Sequence, residues 1–336
     1  GSMVGLPIAG WSVHHYGSRI VILICSFAYA LSLPLIGLAP NLWVIAPVLI
    51  LFGMLGNIMN ISLNTQALGL ENQLGKSILA SFHGVWSMAG FTGAGVGAGM
   101  IFLNFSPAAH YVVVALLSAV LILLSQKFVI NDKPATGEEG GLVLRKPDAL
   151  LLRVGLISFL GMMAEGCMFD WSGVYFKKIV ETEPQYVSLG YVCFMGAMAS
   201  GRFVTDKASN RFGKVPVLQV SGLLIFFGLL LSVVFPNLLT AAIGFLMVGA
   251  GVASIVPVSY GIAGRSKLYS PSVALALVST ISFFGFLVGP PLIGFVAELF
   301  DLKVSFALIG INGLGILLLS SFGKNVFHGQ DNAAVA

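Results

Sequence analysis

Three stretches without a single Asp, Glu, Lys or Arg, residues 20–70, 77–126 and 215–264, dictate what this chain can become. Each is about fifty residues long, roughly twice the ~20 apolar residues that one helix needs to cross a hydrocarbon layer ~30 Å thick. Each is also interrupted once by a turn signal: Ala39-Pro40-Asn41, Asn104-Phe105-Ser106-Pro107 and Phe235-Pro236-Asn237. Proline cannot continue a helical hydrogen-bond ladder and asparagine favours turn backbone, so each run predicts a hairpin of two membrane helices. Single passes predicted over 154–176, 185–205, 270–297 and 304–322 account for the other apolar segments. The fold class is all-α and polytopic, in keeping with 57% hydrophobic and only 9% charged residues.

Among the single passes, Gly155 to Phe176 stands out because it carries a carboxylate, Glu165, near its middle. A helix rising ~1.5 Å per residue puts that group close to the bilayer midplane. An ionisable side chain there is costly, faces a bundle interior or a wet cavity, and reads as functional by default. No Lys or Arg is assigned to the interior of any predicted span, so Glu165 lacks a fixed counter-ion and rests protonated, which suits proton coupling. The competing structural reading is a neutral carboxyl hydrogen-bonded between helices.

The 17 Lys and Arg residues sort strongly by side. Only Lys177, Lys178 and Lys303 fall at one end of the predicted spans. The other end takes Arg19, Lys76, Lys127, Lys133, Arg145, Lys146, Arg153, Arg202, Lys207, Arg211, Lys214, Arg265, Lys267 and Lys324, and by the positive-inside rule it faces the cytoplasm. Residues 131–152, with Asp132, Glu138, Glu139 and Asp148, read as a cytoplasmic linker between an N-terminal half, 1–130, and a C-terminal half, 153–336. The net charge of +4 lies in loops and speaks for membrane orientation, not for nucleic acid. Cys25, Cys167 and Cys193 show no paired spacing and read as small buried hydrophobes, with no metal or other cofactor implied.

The halves repeat. Gly10-x-x-x-His14-His15-Tyr16-Gly17-Ser18 aligns with Asp206-x-x-x-Asn210-Arg211-Phe212-Gly213-Lys214, and a hairpin of similar length follows each. Parallel repeats joined by a cytoplasmic linker suit a transporter with its site near the midplane. Ahead of its copy of the motif, the first half has a helix and a half fewer than the second. Residues 1–13 are too short to span and have neither a basic start nor an extended apolar run, so a shortened second helix is expected there and no cleavable leader.

These features resemble the major facilitator superfamily, in which two six-helix halves enclose one central site. Its loop motif Gly-x-x-x-Asp-Arg-x-Gly-Arg/Lys follows helices 2 and 8. Gly10, Gly17 and Arg19, and then Asp206, Arg211 and Gly213, fall on that motif as gating positions. Its acidic position holds His14 in one copy and Asn210 in the other, which speaks against the acid-mediated cytoplasmic latch associated with it. Within the superfamily the chain is similar to the fucose-permease-like branch, above all to bacterial inner-membrane YbjJ-type proteins. The stretches that carry this likeness are Asn60 to Gln66, Ser81 to Ser87, Ala164-Glu165-Gly166 with Asp170-Trp171, and Leu287 to Gly294. The resemblance implies helices 3 to 12 with part of helix 2, no enzymatic activity, and a monomer in the inner membrane acting on a small solute and protons.

Other candidates surround Glu165. Asn57, Asn60 and Asn64 share one helical face, where amides either bind a hydroxyl- or amide-bearing solute or bond between helices. His83 opens a helix and either relays protons or caps it. Trp86 and Trp171 either stack on a ring-shaped ligand or anchor at the interface, and Asp170 suits a gate or a structural hydrogen bond. Gly90, Gly93, Gly95, Gly97 and Gly99, with Gly285, Gly289, Pro290, Pro291 and Gly294 in the other half, predict close-packed, bendable helices. The function this supports is secondary active transport of a small polar solute by alternating access, proton-coupled through Glu165; a drug or metabolite exporter and a transport-inactive sensor are the alternatives. His83 and Ser87, four apart, are the one weak hint of enzyme chemistry.

Overall fold

The computed structural model describes residues 1–132 and 146–321, and all their regular structure is helical. Lys133, Glu138, Glu139 and Arg145 of the linker, and Lys324 of the tail, lie outside the described residues. Eleven α-helices are described: α1 Ser2–Tyr16, α2 Ser18–Leu38, α3 Leu42–Leu74, α4 Leu79–Phe102, α5 Pro107–Ser125, α6 Ala149–Lys178, α7 Leu189–Phe212, α8 Lys214–Val234, α9 Leu238–Ala263, α10 Pro271–Leu299 and α11 Leu302–Ser321. All three long runs break at their proline and asparagine signals. Ser106 and Asn237 then cap the next helix, accepting from the backbone N–H groups of Ala109 and Thr240. Among the described residues nine helices are long and apolar enough to cross a membrane, and side chains such as Ile24, Leu31, Leu116, Leu121 and Leu239 are exposed on them as lipid requires.

The aligned loop motifs have one backbone cause. Gly17 ends α1 at φ 79°, ψ 152°, and Gly213 ends α7 at φ 87°, ψ 162°. That combination is open essentially to glycine alone, so the repeated glycine is a repeated sharp corner. The following hairpins α2–α3 and α8–α9 leave it alike.

By contacts the chain divides into two units, each taking a short piece from the other half of the sequence. The first comprises Gly1–Leu74, Trp86–Lys146 and Ser266–Thr280; the second comprises Gly75–Val85, Pro147–Arg265 and Ile281–Ala336. In the first unit α3 packs on α1 and α2, and α2 on α5, around Leu6, Ala9, Val13, Ile58 and Ile61. Asp132 anchors its basic end, accepting from the Ser18 amide (2.8 Å), the Ser18 hydroxyl (2.6 Å) and the Arg19 amide (3.2 Å) at the start of α2. The Gln66 amide group donates to Ser18 Oγ and the Ile130 carbonyl and accepts from Ile130 N–H.

In the second unit α9 is central, packed on α6, α7 and α8, while α11 packs on α6 and α8. Tyr175, Phe176, Phe245 and Phe306 form a fully buried aromatic cluster, and Tyr175 Oη donates to the Ser232 carbonyl at 2.8 Å. Its α10 segment lies against α6 through small residues: a Cβ on Gly289 would stand 2.7 Å from the Met163 carbonyl oxygen and one on Gly166 2.9 Å from that of Phe286.

Candidate functional site

Helix α6 is 30 residues long, about 45 Å at 1.5 Å per residue, and is capped by Asp148, which accepts from Leu151 N–H at 2.7 Å. Glu165 sits at its middle with 7% exposure. Facing it from α7 is Arg202, 4% exposed, with Nη2 3.8 Å from Glu165 Oε1. The expectation of a carboxylate without a counter-ion is therefore corrected. The span predicted over 185–205 put Arg202 at its end, among the cations of the basic side. The helix runs on to Phe212, which carries Arg202 well inside it.

Arg202 belongs to a face of α7 that repeats every fourth residue, as one side of a helix must. Nη2 of Arg202 lies 3.8 Å from Met198 Sδ, and Nη1 donates to the His83 carbonyl at 3.4 Å. One turn further, Asp206 accepts from Ala80 N–H (3.1 Å), Ser81 N–H (2.6 Å) and Ser81 Oγ–H (2.5 Å). One turn beyond that, Asn210 accepts from Ser77 N–H and donates to the Ser77 carbonyl. The first N–H groups of a helix have no internal partner and concentrate its positive dipole end. A carboxylate among them both caps and neutralises, so this face of α7 fixes the start of α4. The motif's acidic position holds Asn210 in this copy, and the carboxylate that caps α4 is that of Asp206, at the first motif position.

The first copy is built differently. Gly10 replaces Asp206, and a Cβ there would stand 3.0 Å from that of Ala276 in α10. His14, which falls on the acidic position of the loop motif, is a buried member of the last turn of α1, with Nδ1 3.2 Å from Ser270 Oγ. His15 is also helical, and His110 lies in α5.

The remaining candidates scatter. Asn57 Nδ2 donates to the Ser2 carbonyl and so braces α3 on α1, while Asn64 Nδ2 donates to Asn60 O and Oδ1 one turn below. The shared amide face exists, with these bonds within its own unit. His83 reaches the ion pair through its carbonyl; its ring meets Tyr260 edge-on at 6.2 Å between centroids. Trp86 is 67% exposed. Arg19 contributes its backbone N–H to Asp132, and the Arg211 guanidinium lies over the Phe212 ring. Gly90, Gly93, Gly95 and Gly99 of α4 have nothing within 4 Å of where a Cβ would sit, so the close packing predicted from them is not found among the described residues.

Asp170 and Trp171, one and a half turns beyond Glu165, line a separate cleft of about 540 Å³ with Phe286, Leu287, Pro290 and Pro291 of α10. Trp171 Nε1 donates to the Pro290 carbonyl at 3.1 Å, and its ring edge stands 3.1 Å from where a Gly294 Cβ would be. The indole is thereby pinned along one turn of α10.

The sequence profile described as Major Facilitator Superfamily matches residues 1–267 and 179–328, together nearly the whole chain. The chain belongs to the major facilitator superfamily. An uncharacterised MFS-type transporter of Yersinia pestis is 30% identical over 312 residues, covering 93% of this chain and 80% of that protein. Membrane protein MosC of Rhizobium meliloti is 31% identical over 321 residues, covering 95% and 77%. Among solved structures, the major facilitator FucP in its outward conformation aligns with a TM-score of 0.73 at 15% identity, over 96% of this chain and 90% of that one. The human organic anion transporter MFSD10 aligns at 0.76 and 15%, over 95% and 80%. At that identity the structural likeness carries the fold alone. This major facilitator is thus a multi-pass membrane protein of a transporter family.

Arg202, Gln66 and Ser18 are positioning residues to which sequence reasoning gave no role of their own, and Asp132 was read only as linker. For Arg202 a signal existed: it lies four residues before Asp206 and so on the same helical face. For Asp132 there was none, since its partners are far away in the chain.

Proposed function

We propose that this major facilitator is a secondary active transporter of the fucose-permease-like branch. It moves a small polar solute across the bacterial inner membrane as a monomer, by alternating access, coupled to protons through the Glu165–Arg202 pair. Its basic end, with Gly17 and Gly213, faces the cytoplasm. The observation that carries the reading is a buried carboxylate and a buried guanidinium 3.8 Å apart, midway along membrane helices. Each charge is costly to bury there, so a proton arriving on Glu165 withdraws the negative charge that faces Arg202 and shifts the balance of interactions the guanidinium makes; breaking a buried pair from one side costs about 3–5 kcal/mol in soluble proteins. Because Arg202 also holds the carbonyl of His83, which is the fifth residue of α4 and not its opening one as expected, that change reaches the N-terminal part of α4. The same pair argues against Glu165 binding a cationic cargo directly, since its counter-charge is already supplied.

The test is reconstitution of the chain in vesicles carrying an imposed proton gradient, with a panel of radiolabelled polar solutes. Gradient-driven accumulation is expected in the wild type and is lost in Glu165→Gln, which keeps gradient-independent exchange of the same solute. Accumulation that is equal in Glu165→Gln and unaffected by collapsing the gradient would remove the pair from coupling. Absence of solute movement in every arm would favour the transport-inactive sensor.

A further inference from the structure

The cleft beside α10 has a chemistry unlike that of the ion pair. Its side chains offer one carboxylate, Asp170, and no cation. The single N–H donor among them, that of Trp171, is already given to the Pro290 carbonyl. The main chain adds to the surplus of acceptors. In a helix the carbonyls of Phe286 and Leu287 accept from the N–H groups of residues 290 and 291, and proline has none to give. Both residues line the cleft with Asp170, so a double proline in α10 leaves the carbonyls of two lining residues without their usual helical donors, that of Phe286 on the side facing Gly166 of α6. Trp171 and Phe286 supply apolar walls, and the indole is fixed by its own hydrogen bond, which lowers the ordering cost of binding.

A site rich in acceptors, poor in donors, negatively charged and aromatic discriminates by chemistry. A carboxylate or phosphate would meet like charge, and a neutral polyol would leave the carboxylate without a counter-charge. An inorganic cation would need several oxygen ligands around it, whereas most of this cleft is apolar. An ammonium group on an apolar body fits every element: charge to Asp170, N–H donors to the carbonyls, and the body against the rings, with a cation–π contribution.

We propose that this cleft binds the cargo as an organic ammonium ion bearing N–H groups, with Asp170 as its counter-charge and the carbonyls released by Pro290 and Pro291 as its acceptors. As a statement about cargo this rests on the transport reading above; as a statement about binding it does not. It also divides the labour along α6, with Glu165 occupied by Arg202 and Asp170 left for the solute.

The experiment is equilibrium binding to the detergent-solubilised chain, read by calorimetry and by thermal shift, with four probes. These are 2-phenylethylammonium, its N,N,N-trimethyl analogue, the neutral 2-phenylethanol, and sodium ion alone. The primary ammonium is expected to bind at least tenfold more tightly than the trimethyl analogue or the alcohol, and at least tenfold more weakly to Asp170→Asn than to wild type. Glu165→Gln is expected to bind it as wild type does, even though the reading above has it transport-deficient. Equal affinity for ammonium and alcohol, undiminished binding by Asp170→Asn, or an equal Asp170-dependent shift with sodium alone would overturn the assignment. Should Asp170→Asn fold poorly, Asp170→Ser serves as second variant, and undiminished affinity for the primary ammonium there would equally overturn it. Binding as described in a protein that moves no solute would leave the assignment standing and defeat only the transport reading.

Discussion

Neutralising each member of the Glu165–Arg202 pair separately and together measures whether the two side chains act as a unit. At 3.8 Å, with an effective dielectric constant of about 20, the direct attraction is about 4 kcal/mol. Breaking such a pair from one side strands a buried charge and costs about 3–5 kcal/mol in soluble proteins. In a bilayer the unfolded reference keeps its helices and finds substitute partners, which limits measured polar contacts to at most about 1.7 kcal/mol. Glu165→Gln and Arg202→Met should therefore each destabilise by about 2–3 kcal/mol, with the double variant less destabilised than their sum by about 1–2 kcal/mol. The assay is equilibrium unfolding in mixed micelles followed by far-ultraviolet circular dichroism. Additivity within about 0.5 kcal/mol, the range for non-interacting sites, would refute the pairing. Arg202 alone also holds the His83 carbonyl. Hydrogen exchange around His83 in α4 should therefore quicken in Arg202→Met and much less in Glu165→Gln.

Three further outcomes follow from the same geometry. Asp206→Ala removes the acceptor of two α4 amides and a hydroxyl; a loss of about 2 kcal/mol, as for a strong helix cap, and loss of exchange protection at residues 80 and 81 are expected, with Asp206→Asn intermediate. Gly213→Ala should cost about 1–3 kcal/mol from backbone strain alone, and Gly17→Ala more, because its Cβ would also press on the Asp132 carbonyl at 3.1 Å; melting temperatures of the two variants give the order directly. Gly93→Ala should raise stability by about 0.5–1 kcal/mol, since none of the described residues comes within 4 Å of where its Cβ would sit and alanine suits a helix better. A fall in stability there would mean that the glycines of α4 are packed after all.

Much of this protein was legible in its sequence. Exclusion of charge from lipid, the break that proline imposes and the corner that only glycine can turn all act over a few residues. The helices, their three hairpin breaks and the paired corners at Gly17 and Gly213 follow from the order of amino acids alone. So did Glu165 as the group that needs explaining, because an acid amid apolar residues is conspicuous without any structure. What only the tertiary structure decided was the partner of each polar group. Arg202 became a counter-ion because α7 runs seven residues beyond the predicted span. Asp206 became a cap because its helix face meets the first turn of α4, and Asn57 and Asn64 found backbone and amide partners within their own bundle. Depth and rotation of a helix are set by what packs against it, through contacts tens to hundreds of residues away in the chain. Local pattern therefore names the residues that cannot stand alone, and packing determines what they stand beside.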